Sequence, residues 1–254
     1  MKTESCSKKS DENKIKIEFE GLNFQGYIGM IIADEFYACK KKYKNQISYA
    51  PCPIKLVLCD EGERIWEIIK DMKDGFDKKE LHKMLSAYRS TSSFCEAVFH
   101  GKEIAVDNIS VIGITDLLIR IYTDRLNDFI INHLDSLDTV IESIKLSVRH
   151  EMGHIIDFIH YNGMESEKFI KLRERYEKER KEFYKSLADG KILSMDDLKR
   201  YHQLEEESIA NSNADISEDE KLKYDKMLFD INHIKLKTTI TLSSKHEPIK
   251  DEEK

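Results

Sequence analysis

Residues 138–161 place Ile144, Val148, Ile155 and Ile159 at helical spacing, which predicts one long amphipathic helix with its apolar side towards a core. Asp135-Ser136-Leu137-Asp138 supplies N-cap chemistry before it, and Asn162-Gly163 supplies a stop after it. The first half of the chain has shorter periods. Residues 14–20 (KIKIEFE) alternate charged and apolar positions, the pattern of a half-buried strand. Residues 26–33 are apolar and predict a second strand, while 36–44 are more helix-like. Residues 54–59 (IKLVLC) predict an inner strand, with Pro51 and Pro53 just ahead of it. Residues 61–72 and 78–88 fit short amphipathic helices. Residues 94–110 predict a hairpin in which FCEAVF and EIAVDNIS flank a His100-Gly101-Lys102 turn. The spacing over 116–134 predicts a helix.

The second half is helical and charged. Residues 165–188 carry both signs of charge densely, with Phe169, Leu172, Tyr176, Phe183 and Leu187 forming a heptad-type seam. The charge run itself predicts a solvated helix face, ended by Asp189-Gly190. Ser194 can cap a helix running to about 213, and Ser217 one running to about 234. Residues 1–13 and 244–254 are polar and predict a disordered arm and a frayed tail. The fold class is therefore α+β: a small N-terminal mixed sheet packed on the 138–161 helix, with a mainly helical C-terminal part. One domain is expected over 14–243, with a charged helical insertion at about 165–200.

Composition adds limits more than identity. A length of 254 residues, 40% of them hydrophobic, is enough for a real core. Only 3 Pro and 10 Gly leave little scope for long linkers. The net charge of −7, with both signs intermixed, offers no basic face for nucleic acid. No apolar run is long enough for a membrane span, and the N-terminal residues lack the apolar stretch of a signal peptide. The five cysteines (Cys6, Cys39, Cys52, Cys59 and Cys95) are widely spaced without a C-x-x-C, as expected of reduced thiols in a cytoplasmic protein.

The chemistry concentrates in the long helix. His150-Glu151-Met152-Gly153-His154 is an H-E-x-x-H motif. Residues i and i+4 stand about 40° apart around a helix, so His150 and His154 can grip one metal ion together. Glu151 lies about 100° round from His150, beside the ion rather than on it. Zinc there lowers the pKa of a water towards neutrality, and Glu151 can act as its general base. The expectation is a zinc hydrolase carrying one zinc ion, with a peptide or protein substrate.

A catalytic zinc site needs a third protein ligand, and three residues compete for the place. His160 has the metzincin spacing, but Asp157 stands where the glycine of that signature would turn the chain. On a straight helix His160 points about 100° away from the other two histidines. Asp157 lies on the same face as His150 and is better placed to accept an N–H from a ligand histidine. Glu207 lies in Glu205-Glu206-Glu207-Ser208-Ile209-Ala210-Asn211, where small Ala210, one turn on, would let a second helix approach the metal helix closely.

His150-Glu151-x-Gly153-His154-x-x-Asp157, followed by Glu207-x-x-Ala210-x-Ser212-x-Ala214, resembles the zinc peptidase domain shared by anthrax lethal factor and the clostridial Pro-Pro endopeptidases. Those proteins are gluzincins. The resemblance implies a zincin-like fold, His150, His154 and Glu207 as zinc ligands, and Glu151 as base. It also implies a tyrosine shortly before the ligand glutamate that polarises the substrate carbonyl, for which Tyr201 is the matching residue. The resemblance covers 140–162 and 200–215, and Ser208-Ile209 replace the aromatic pair that often follows the ligand glutamate. Glu207-Ser208-Ile209-Ala210-Asn211 is also similar to the E-x-x-A-N segment of intracellular peptidases of the ImmA/IrrE type. Both groups imply the same metal chemistry. In zincins an edge strand aligns the substrate, and residues 103–109 are the candidate here.

Overall fold

The computed structural model describes residues 17–19, 26–60, 93–131, 137–186, 194–223 and 226. The arm at 1–13, the helices expected at 61–72 and 78–88, the Asp189-Gly190 stop and the tail at 244–254 lie outside the described residues.

Four strands form one mixed sheet in the order β1-β2-β4-β3. Strand β1 (Ile17–Phe19) falls inside the stretch expected to be a strand, and it runs parallel to β2 (Ile54–Cys59). Strand β2 runs parallel to β4 (Ile109–Tyr122), with Ile54 opposite Leu117 and Cys59 opposite Tyr122. Strand β3 (Cys95–Val106) is antiparallel to β4 and forms the edge of the sheet. The class is α+β, as the sequence predicts.

The hairpin forms, but not around His100-Gly101-Lys102. Strand β3 runs through those residues with a register shift between His100 and Gly101. The turn is Asp107-Asn108, with φ of 48° and 67°. A two-residue turn with both φ values positive matches the twist of the strands, and Asp and Asn tolerate that backbone region better than other side-chain-bearing residues. The glycine of the expected turn sits instead at a bulge, another common place for it.

Two further expectations are corrected. Residues 26–33 are not a strand: α1 (Tyr27–Lys42) absorbs them together with the helix-like stretch after them. Its buried Gly29, Ile32, Phe36 and Cys39 follow helical spacing, which an apolar run of eight residues conceals. A short α2 (Lys44–Ile47) follows. Residues 116–134 are not one helix either. Strand β4 continues to Tyr122, and only then does α3 (Thr123–Ile131) begin. Residues 117–122 are buried on both faces of the sheet, so they show no alternation and their period does not reveal a strand.

The long helix α4 (Leu137–Tyr161) forms over nearly the expected range. It ends at Gly163, whose φ of +81° is easy for glycine, and the Gly163 N–H bonds the Ile112 carbonyl of β4. Helix α4 packs against β3, β4 and α1 around Phe36, Leu117, Ile119, Ile144, Val148, Met152 and Ile155, all buried. Helix α5 (Ser166–Ser186) follows and buries Tyr176 and Phe183 of its predicted seam, with Phe169 and Leu172 partly buried against the core. Leu187 lies outside the described residues.

Ser194 caps α6 (Met195–Tyr201) through a capping box with Asp197. This helix stops at His202 rather than continuing to 213, and α7 (Glu205–Asn213) begins after a break at 202–204. Ser217 accepts the Glu220 N–H and opens a helical turn over 218–223. No helix among the described residues is long and apolar enough to cross a membrane.

Candidate metal centre

Helix α4 brings His150 and His154 to one side, as their spacing requires, and α7 lies directly across from them. The close crossing depends on two small residues. A Cβ added to Gly153 would stand 2.8 Å from the carbonyl carbon of Ala210 and nearer still to its oxygen. The helices thus meet backbone to backbone, and Asn213 Nδ2 donates to the Gly153 carbonyl at 3.2 Å. Ala210 is the small residue expected to permit this approach, and Gly153 is its counterpart on α4.

The crossing aims Glu207 at the two histidines. Glu207 Oε2 lies 3.1 Å from His150 Nε2 and 3.6 Å from His154 Nε2. One donor atom from each of the three residues falls within a span of 4.8 Å, and all three side chains are buried. His160 is not part of this group: it stands exposed near the end of α4. The straight helix carries it off the metal-facing side, for lack of a glycine at 157.

Asn211, four residues after Glu207, completes the arrangement. Its Oδ1 lies 3.0 Å from His150 Nδ1, and its Nδ2 faces His202 Nδ1 at 3.4 Å. With its oxygen towards His150, Asn211 accepts the Nδ1–H and leaves the Nε2 lone pair pointing at Glu207. A buried carboxylate oxygen this close to two imidazole nitrogens is satisfied either by a hydrogen on a ring nitrogen or by a metal ion held among the three groups. Two histidines and one carboxylate are a donor set suited to zinc, and three protein ligands are the complement of a catalytic site. The residues fit a metal ion.

The electrostatics agree. Burial alone would raise the Glu207 carboxyl, but His154 and His150 outweigh it and hold the group well below the ordinary carboxylate range. Burial would lower His154, yet Glu207 more than offsets this and raises it. Glu151 behaves oppositely to Glu207. Burial pushes its carboxyl up to about 8 against the pull of His150, with the Glu207 charge adding to the rise. Glu151 Oε2 accepts the Ala97 N–H of β3 at 2.7 Å, which fixes it beside the two histidines.

Tyr201 is brought to the site, but against the ligand rather than free of it: its hydroxyl donates to Glu207 Oε1 at 2.8 Å. Burial and the nearby Glu207 carboxylate keep the phenol protonated well beyond its ordinary range. Asp157 differs from expectation. Its Oδ2 accepts the Tyr161 hydroxyl at 2.6 Å, and His154 Nδ1 has no hydrogen-bond partner among the described residues. The acid on the metal face therefore ties α4 to its own last turn, because Tyr161, one turn further on, reaches it first.

Sequence reasoning passed over Asn211, Ala97 and His202. Asn211 was within reach, since a residue one turn beyond the ligand glutamate shares its face of the helix. Ala97 shows no sign in sequence, because its part is played by a backbone N–H. Replacing Asn211 with Ala is expected to weaken metal binding about 10- to 100-fold, as is typical when the partner of a ligand histidine is lost. Asn211→Asp keeps the acceptor and should hold the metal more tightly than the Ala variant. Chelator competition measures both, and an unchanged affinity in Asn211→Ala would contradict this role.

No protein-family model, no curated protein and no solved structure matches the chain. The resemblance to the gluzincins thus rests on the sequence motifs alone.

Proposed function

We propose that the chain is a zinc-dependent endopeptidase of zincin-like fold, acting on a protein or peptide in the cytoplasm. The observation that carries this reading is the convergence of His150, His154 and Glu207 at one point, with the Glu151 carboxylate fixed beside it. His150, His154 and Glu207 would hold the zinc. When bound, zinc supplies Lewis acidity, which makes a water acidic near neutral pH and polarises a carbonyl.

The chain's own residues supply the rest. Glu151 takes a proton from the attacking water and returns it to the leaving amine, so the peptide bond is exchanged for a carboxylic acid and an amine. One of its oxygens is engaged by Ala97, which orients the other for this transfer. Tyr201 is the candidate donor to the oxygen that gains charge, a part that requires its one hydroxyl hydrogen to turn from Glu207 Oε1 to the substrate. Strand β3 is the antiparallel edge strand and reaches the site at Ala97. An extended substrate is best aligned along this end of β3 by strand addition. The stretch 103–109 lies further along the hairpin, around the Asp107-Asn108 turn.

The test is hydrolysis of a mixed peptide library by zinc-loaded protein, read by mass spectrometry. Cleavage that stops with a zinc chelator and returns when zinc is restored is the expected result. A protein that holds zinc but cleaves nothing across the library and unfolded protein substrates would be a metal-binding protein without turnover.

A further inference from the structure

Three glutamates stand in a row at the start of α7, yet only Glu207 reaches the metal-binding histidines. Adjacent helical residues point about 100° apart, so the rotation of α7 about its axis decides which carboxylate faces them, and even a partial turn would carry Glu207 off the histidines. The two other glutamates are held away by α5. Arg173 Nη1 lies 2.8 Å from Glu206 Oε1, and Arg180 Nη2 lies 2.8 Å from Glu206 Oε2. The buried Glu206 carboxylate is therefore flanked by two guanidinium groups spaced seven residues apart along one face of α5: Arg173 donates a hydrogen bond to Oε1, while Arg180 pairs with Oε2 through charge without a hydrogen bond. Arg175 Nη2 pairs with Glu205 Oε1 at 2.6 Å, and Glu179 Oε2 accepts the Glu205 backbone N–H at 2.9 Å. The opposite end of α7 is also pinned, where the Tyr43 hydroxyl donates to the Ala214 carbonyl at 2.6 Å.

We propose that α5 is the positioning element of the metal site: through Arg173 and Arg180 it holds Glu206 and so fixes the rotation of α7 that makes Glu207 the third ligand. This inference rests on the metal-site reading above. It gives the charged helix a part that a solvated surface would not have. The outward pairs of α5, such as Lys171 with Glu167, are exposed and contribute little by comparison. At Glu206 the carboxylate itself is buried while Arg173 and Arg180 stay partly exposed, so loss of the arginines leaves a buried carboxylate stranded.

The experiment measures zinc affinity of the full chain by chelator competition, with circular dichroism and the cobalt(II) absorption spectrum as independent readouts. Wild type is compared with Arg173→Met/Arg180→Met, Arg173→Lys/Arg180→Lys, Glu206→Gln and Lys171→Ala. The Met double variant is expected to bind zinc at least tenfold more weakly with helix content retained, and to show an altered cobalt spectrum. The Lys double variant should recover most of the affinity, and Lys171→Ala should match wild type. If the Met variant does not fold, Glu206→Gln carries the test, since it keeps the side-chain shape and removes the paired charge. It too should bind at least tenfold more weakly. Wild-type affinity and spectrum in a folded Met variant, or in Glu206→Gln, would overturn the positioning role while leaving the metal site intact. A wild-type chain that binds no zinc would overturn both.

Discussion

Glu151→Gln is expected to keep its zinc and lose hydrolysis by about 10²- to 10⁴-fold, the usual contribution of a positioned general base. The substitution is nearly isosteric, and the Gln side-chain oxygen can still accept the Ala97 N–H, so the site should remain assembled. What disappears is a group able to take a proton. The same variant has an effect on stability that needs no substrate. In the metal-free protein, burial raises the Glu151 carboxyl from 4.5 to about 8. An acid whose folded pKa is raised favours folding while it is protonated. That contribution is fully present below the unfolded value and is lost as pH rises from about 4.5 to about 8. Gln cannot ionise, so metal-free Glu151→Gln should gain in thermal midpoint relative to wild type across this window, most at its upper end. Undiminished hydrolysis in the variant would remove Glu151 from the reaction, and a pH-independent stability difference would contradict its buried carboxyl.

Gly153→Ala should damage both fold and metal site. The new methyl would meet the Ala210 carbonyl oxygen, carbonyl carbon and Cα. These are backbone atoms and cannot turn aside as a flexible side chain would, so α7 must move away from α4. Alanine favours a helix over glycine by about 1 kcal/mol, but overpacking in a tight interior costs roughly 1–3 kcal/mol, occasionally more. The overlap here is severe, so the destabilisation wins. Glu207 and Asn211 ride on α7, so the same displacement should weaken zinc binding at least tenfold. Thermal unfolding without metal and chelator competition with it measure the two effects. A variant as stable as wild type that binds zinc equally well would mean that the two helices do not cross as closely as this.

The metal helix was legible because its information is local. The spacing of His150 and His154, the apolar stripe and the Asn162-Gly163 stop all act within one element. Glu207 was harder, since three consecutive glutamates offer the same chemistry. Ala210 singled out the glutamate that the fold brings to the two histidines, because close approach demands a small residue on the same face. The network that sorts the three, Arg173 and Arg180 on Glu206, joins residues 26 to 33 positions apart and leaves no periodic trace in the sequence. The β-sheet was the least legible part. Buried residues 117–122 lack alternation, α1 begins with a run of apolar residues, and Gly101 competes with Asp107-Asn108 as the obvious turn. In each case the deciding force was tertiary: burial on both faces of a sheet, or pairing with a strand far along the chain.

The central claim is that His150, His154 and Glu207 hold one metal ion, and zinc content per chain tests it most directly. Elemental analysis of wild type should find about one zinc, lost in His150→Ala and in Glu207→Ala and kept in His160→Ala. No zinc in wild type even after reconstitution, or zinc that survives Glu207→Ala and disappears with His160→Ala, would contradict the account.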